Sequence, residues 1–396
     1  MKDVFLLSFT AFGGPQIHFV QFIERFCELR RFITKAELIE LYSFCQVLPG
    51  PTSTQTVTAL GLKLGGYKLA ILTLLIWITP ATLLMTGVVL GYSKMEGLDL
   101  LHYFDLVPAM AVGFLFAAGL KMVPLIKKHY AFYLITIVSC ILVVLNQRFA
   151  RNPFTASLVL PAILFAAALI SQKLINMDFK SNPMPIGKLN YSHLLIIGLI
   201  FMAIVLVGNI FQIKEVLLFE NTFRMGSLVF GGGQVLVPLM EAQYVHVKEY
   251  LTAVEFAHGY GFLQAVPGPV FSFSTFVNGM AMKNSGIGGQ LLGCLIGSVG
   301  IFLPGLLIMF FAYPIWGRIK TYPIIQRSLD GVVAAAVGLI LAAAILLFIS
   351  LLGQWETKAS NVGDIIVFGV TVLLVSFTKV PSPFIVILSI LASILF

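Results

Sequence analysis

The sequence predicts an all-α integral membrane protein made of two homologous helical repeats, inverted relative to one another and carrying helices broken at glycine and proline. Three observations predict it. Of 396 residues, 59% are hydrophobic and 11% charged, whereas charged residues alone approach a quarter of an ordinary soluble domain. Long apolar runs lie at 69–93, 103–123, 130–147, 154–172, 193–213, 287–312, 331–352, 362–378 and 382–396; most can cross a ~30 Å hydrocarbon core, which takes about 20 helical residues. Finally, FGGPQ at 12–16 and QVLPGP at 46–51 return as FGGGQ at 230–234 and QAVPGP at 264–269.

The duplication keeps a tight register. Phe12, Thr34, Glu37, Gln46, Pro49, Gly50 and Pro51 map onto Phe230, Thr252, Glu255, Gln264, Pro267, Gly268 and Pro269 by one offset of 218, and Asp105 and Gly113 match Asp330 and Gly338 at 225. Repeats with interrupted apolar segments are a transporter signature. No ten-residue alternation suggests a barrel.

The organisation that follows is a first repeat over 1–172, a linker plus an extra transmembrane helix over 173–213, and a second repeat over 214–396. Val4–Phe12 leads straight into the motif rather than to a signal cleavage site, so it is read as the first span. Each PGP segment, at 36–66 and 254–284, either crosses fully or is a re-entrant hairpin. The two choices give eleven to thirteen membrane-crossing segments. Counting the 25 Lys and Arg on each side gives nearly even splits under both; the ambiguous loop is 24–35, with Arg25, Arg30, Arg31 and Lys35.

The net charge of +8 is scattered over short loops, which suits anionic lipid headgroups and argues against a nucleic-acid partner. Four cysteines show no CxxC pair, and no metal-ligand spacing occurs. The chain lacks HExxH, GxSxG and a GKS/T phosphate loop, so neither an enzyme nor a cofactor is expected.

The chemistry sits at the breaks. A helix interrupted in the membrane exposes amides and carbonyls that lipid cannot satisfy, so it must face protein or water. In PGPTST, Pro51 suits the first position of a new helix, leaving the amides of Thr52 and Ser53 free beside three hydroxyls. A helix N-terminus carries about half a positive charge and can replace the water around an oxyanion. FGGPQ repeats the logic with Pro15, Gln16 and Ile17, while the second copy has Gly233 for Pro15 and Val270-Phe271-Ser272 for Thr52-Ser53-Thr54. The expected substrate contacts are Gly13, Gly14, Pro15, Gln16, Gln46, Pro49, Gly50, Pro51, Thr52, Ser53, Thr54 and Gln55, with Gly231, Gly232, Gly233, Gln234, Gln264, Pro267, Gly268, Pro269 and Ser272 from the second copy. Gly289, Gly293 and Gly297 instead read as a close-packing face.

Ionisable residues near the breaks are candidates for proton or charge coupling: His18, Glu24, Arg25, Glu37, Asp105, Glu241, Glu255 and Asp330. Each also has a plain reading. Asp105, Asp330, Glu37 and Glu255 fit helix-start acids, Glu24 and Glu241 fit salt bridges, and His18 fits a packed histidine.

The runs FGGPQIHFVQFIERFCELRRFIT and QVLPGPTSTQ resemble the N-terminal half of the chromate ion transporter family, and FGGGQVLVPLMEAQYV, YLTAVEFAHGYGFLQAVPGPVFSFSTFVNG and IFLPG resemble its C-terminal half. Nearly the whole chain is covered, at the length of the family's two-domain members, although it starts almost at the first motif without their longer lead. The resemblance implies a multi-pass inner-membrane carrier that exports chromate using the proton motive force, with homologous halves in opposite orientation and the glycines and prolines of both motifs in its functional core. The partners implied are chromate or a similar oxyanion, protons as coupling ion, and the lipid bilayer; a homo-oligomer is compatible. Sulfate has the same tetrahedral shape and charge, and an oxyanion exchanger or an anion channel would share the motifs.

Overall fold

The computed structural model describes residues 1–12, 15–97, 101–126, 128–149, 153–174, 212–229, 233–316, 323–353, 361–378 and 380–395, with 198–199, 202–203, 206–207 and 210 between them. The chain opens with α1 (Lys2–Thr10) and α2 (Pro15–Phe22), which widens into a π-helical turn over Ile23–Leu29. Asp3, in the first turn of α1, accepts hydrogen bonds from Arg25 and Arg30 at 2.8 Å each. The start of α1 and the far end of α2 therefore share one base. The segment expected as the first span turns back instead of crossing, because the nine residues of α1 rise only about 14 Å before the break.

The PGP segment does the same. It consists of α3 (Lys35–Val47) and the first part of α4 (Thr52–Gly97), whose backbone breaks at Gly65 and at Gly66, where φ is 71°. Lys63, at the end of the 52–64 arm, reaches Glu37 in the first turn of α3 at 2.5 Å. The two legs are antiparallel, which selects the hairpin that charge counting left open. Thr34 and Glu37 form a reciprocal capping box at the base, supplying partners to amides at the helix start.

The second repeat copies this plan with α8 (Lys214–Leu228), α9 (Gly233–Glu241) and its π turn Ala242–Val247, α10 (Ala253–Leu263), α11 (Phe273–Ala281) and α12 (Gly286–Ala312). Thr252 and Glu255 rebuild the capping box, and Lys283 again bonds the glutamate. Where the first hairpin has Asp3 and Arg25, the second has Asn221 accepting from Gln243 at 3.2 Å. The same contact is ionic in one repeat and neutral in the other. We expect Asp3→Asn alone to cost about 1–2 kcal/mol, since Asp3 is buried but its arginines are partly hydrated. Adding Arg25→Gln should recover most of it; a double variant no more heat-stable than the single one would refute the equivalence.

The remaining helices are α5 (Val107–Met122), α6 (Tyr130–Phe149), α7 (Pro153–Leu174), α13 (Pro323–Gly353), α14 (Asn361–Phe377) and α15 (Ser382–Leu395). Among the described residues, three stretches are long and apolar enough to cross a membrane by length and composition alone, within Thr52–Met95, Lys283–Ile315 and Asp330–Ile349, and the other apolar helices are shorter. Small residues bring the helices together. The buried alanines 334–336 and 342–344 of α13 face α5, α6 and α7. A Cβ on Gly293 or Gly297 would lie 2.4 or 2.3 Å from carbonyls of α11, so the close-packing face expected there is real at both positions. The linker and the extra span expected at 173–213 lie largely outside the described residues.

The two repeats are inverted. Tyr67, at the start of the crossing arm of α4, packs edge-on against Phe310 near the end of α12, while Ser93 at its other end accepts from Gln290 near the start of α12 at 2.5 Å. These two crossing helices are antiparallel, so the hairpins that precede them open on opposite faces. In a background without the four native cysteines, Tyr67→Cys and Ile287→Cys, both exposed, should be labelled by an impermeant thiol reagent from opposite sides of sealed vesicles. Labelling of both from one side would refute the inversion.

Candidate functional site

The hairpin tips meet in the middle of the molecule and are joined crosswise. The Gly50 amide donates to the Val229 carbonyl and the Gly268 amide to the Ala11 carbonyl, each at 2.7 Å. By the 218 offset these are the same bond made twice, once in each direction, as a two-fold axis requires. Each PGP turn thus fills the break in the other repeat's FGG hairpin, which meets the backbone's need for partners away from water. The turns need glycine, because Gly50 has φ 120° and Gly268 φ 107°, a region closed to most side chains.

Beyond Gly50 a helix begins. Gln55 is the first residue whose amide bonds back, to the Pro51 carbonyl at 2.8 Å, so Pro51 is the cap rather than the first helical residue. The amides of Thr52, Ser53 and Thr54 have no intrahelical acceptor. All three residues are buried, and Thr52 and Ser53 line a small cavity between the tips together with Pro51, His18, Pro269, Val270 and Phe271. The cavity has room for about one water. A tetrahedral oxyanion is larger, so the tips must separate to admit one.

The second tip is built differently. It starts with a tight 3-10 turn over Val270–Ser272, whose Ser272 amide and hydroxyl both donate to the Pro269 carbonyl, at 2.9 and 2.8 Å. Ser272 therefore spends its hydroxyl on its own turn, and the side chains toward the cavity are apolar. Thr54 also faces away, accepting a hydrogen bond from the Trp77 indole at 3.2 Å.

Other expected contacts scatter. Gln55 donates to the carbonyls of Pro49 at 2.8 Å and of Gly305 at 3.0 Å, fastening the turn to α12. Gln46 is exposed and Gln264 caps α10 half-buried. Gly13, Gly14, Gly231 and Gly232 lie outside the described residues, as do the side chains of Pro15, Gln16 and Gln234; Gly233 begins α9. Pro49 and Pro267 flank the two glycines within the tips.

Most ionisable candidates are engaged elsewhere. Glu37 and Glu255 hold the hairpin bases, and Arg25 pairs with Asp3. Glu241 is buried and bonded to His246 at 3.0 Å rather than to an arginine. Glu24 and Asp105 are exposed, and Asp330 is half-buried beside Gly331, which packs on α7. His18 alone of this set lines the cavity. The carbonyls of Ala11 and Val229 and the indole of Trp77 were not legible as site groups; the only signal was that Ala11 and Val229 both directly precede the motif phenylalanine.

The model of the family described as chromate transporter matches residues 1–171 and 216–394. The chain belongs to the chromate transporter family. Two matched regions in one member agree with the duplication and with two repeats folded alike. A chromate transport protein of Pseudomonas aeruginosa is 25% identical over 357 residues, covering 85% of this chain and 77% of that protein. One from Cupriavidus metallidurans is 24% identical over 392 residues, 96% and 88% of the two chains. An uncharacterized transporter of Methanocaldococcus jannaschii is 24% identical over 372 residues, 93% and 87%. No solved structure matches this family member at a significant level.

Proposed function

We propose that this family member is a secondary carrier that moves chromate, or a tetrahedral oxyanion like it, out of the cytoplasm across the inner membrane at the expense of the proton motive force. One observation carries the reading: two glycine turns, hydrogen-bonded crosswise, bury a helix N-terminus whose first amides have no intrahelical acceptor, beside a cavity midway between inverted repeats. Amides held in place stabilise an anion without adding a fixed counter-charge that would trap it. Thr52 and Ser53 are the proposed side-chain contacts, Gly50 and Pro51 shape the first tip, and Gly268 and Pro269 close the site from the other repeat. The FGG glycines are proposed to frame the same space. The repeats proposed as moving units are 1–172 and 214–396.

Two further observations support direction and access. With the FGG segments returning as well as the PGP segments, most Lys and Arg of the described residues fall on the face that holds the first repeat's hairpin bases, which the positive-inside rule makes cytoplasmic. On that face α3 leaves Glu40, Ser43 and Gln46 exposed along one stripe, and polar side chains at that depth imply water rather than lipid. The equivalent stripe in the second repeat is covered: His258 is buried and bonded to Tyr92 and Phe104 at 3.0 Å each, and Gly261 packs on Val107 of α5. Such one-sided closure suits alternating access from the cytoplasm.

The test is flux of labelled chromate into proteoliposomes, with and without a pH gradient and a tenfold excess of sulfate. Flux that follows the gradient and survives sulfate is the expected result. Gradient-independent flux suppressed by sulfate would replace the reading with a general oxyanion exchanger or channel. The sulfate arm separates a chromate-selective site from one that reads only the shape and charge the two anions share.

A further inference from the structure

His18 lies on α2 with no exposed surface, and among the described residues neither ring nitrogen has a hydrogen-bond partner. The Ala11 carbonyl approaches the ring without the geometry of a hydrogen bond to either nitrogen, and it already accepts from Gly268. The ring packs edge-on to Trp77 with centroids 5.4 Å apart and borders the cavity opposite Thr52 and Ser53. A buried imidazole with both nitrogens unsatisfied is costly and uncommon. A packing role needs no imidazole at this position, because the second repeat places Leu236, also fully buried, at the equivalent site.

We propose that His18 is a direct ligand of the transported oxyanion, donating a ring N–H to one oxygen while the amides of Thr52 and Ser53 bind others, so that the molecule has one off-axis anion site instead of two symmetric ones. Four differences between equivalent positions converge on this. The first repeat offers His18, Thr52, Ser53 and a three-amide helix start; the second offers Leu236, Val270, Phe271 and a turn whose serine hydroxyl donates to the Pro269 carbonyl. The scaffold is two-fold, and the chemistry is not. Binding on one side of the axis gives a single tetrahedral anion unlike walls, polar toward α2 and α4 and apolar toward the second tip. A donor on a side chain can follow the anion as the tips part, whereas the amides are fixed to the first one. Neutral imidazole is also an acceptor at its other nitrogen, so the same ring can receive the hydroxyl of a singly protonated oxyanion. This assignment rests on the oxyanion-carrier reading and deepens it.

The experiment is equilibrium binding of labelled chromate to the purified full-length protein, with wild type, His18→Leu and His18→Gln compared. Leucine is the residue the second repeat already accommodates, and glutamine restores a donor at similar reach. We expect His18→Leu to weaken binding about tenfold or more, the loss of one charged hydrogen bond in a buried site, and His18→Gln to recover part of it. Equal affinity in wild type and His18→Leu would overturn the ligand role and leave the carrier reading intact. Wild-type protein that binds no oxyanion would overturn both. Should His18→Leu not fold, the fluorescence of Trp77 in a Trp316→Phe, Trp355→Phe background serves, with chromate as the probe and its own absorption corrected for. Saturable change on adding chromate supports a site against the His18–Trp77 pair, and its absence in protein that still binds labelled chromate overturns it.

Discussion

Gly50→Val is expected to leave the protein in the membrane but without measurable oxyanion flux, and Gly268→Val to do the same. At φ 120° and 107° a β-branched residue is held in backbone that costs about 1–3 kcal/mol even where space is free. Space is not free. A Cβ on Gly50 would lie 2.9 Å from the Gln55 side-chain nitrogen Nε2 and 3.1 Å from the Gly305 backbone, and one on Gly268 would lie 3.0 Å from Ala81. Relief requires the turn to move, and moving it breaks the bond to Val229 or Ala11 and shifts the helix start that carries the free amides. Insertion depends instead on the apolar crossing helices, which neither substitution touches. Membrane-fraction abundance and proteoliposome flux measured on the same preparations check this. Normal flux in a well-expressed variant would refute the role of the turn.

Thr52→Val combined with Ser53→Ala should weaken oxyanion affinity by about tenfold or more, because in the proposed site each hydroxyl removed would donate to a charged ligand. Ser272→Ala, at the place equivalent to Thr54, should change affinity by less than about threefold. Its hydroxyl is committed to the Pro269 carbonyl at 2.8 Å, so its loss alters only the local turn. Competition binding with chromate measures both. Equal losses would mean that the anion contacts the two tips alike, against a one-sided site.

Transport and stability are separable in this fold for a physical reason. Its hairpins are held at their bases by capping boxes and lysine contacts and at their tips by two backbone bonds. In the proposed mechanism, opening the site to an anion would break tip contacts while the bases stay closed. The tip bonds are few and neutral, each exchangeable for one to water or to the anion, and that keeps the opening within reach of thermal motion. Gln55, bonded to both Pro49 and Gly305, ties the first tip to α12, so movement of that crossing helix is felt at the amides.

By itself the sequence determined the membrane setting, the helical class, the duplication and the identity of the interrupted segments, because hydrocarbon admits only hydrogen-bonded helices here and glycine and proline mark where they stop. It also marked Gly50 and Gly268, Thr52 and Ser53, since a helix start is written in local residue types. It left open whether the broken segments cross or return, since positive charge was nearly balanced under either topology. Tertiary structure decided that: the contacts Asp3 with Arg25 and Glu37 with Lys63 join residues 22 and 26 positions apart, and no local pattern encodes such a closure. It also sorted the polar candidates, turning Gln55 and Ser272 inward onto carbonyls while leaving His18 against the cavity. Local chemistry states what a residue can bind; only the packed chain states what it faces.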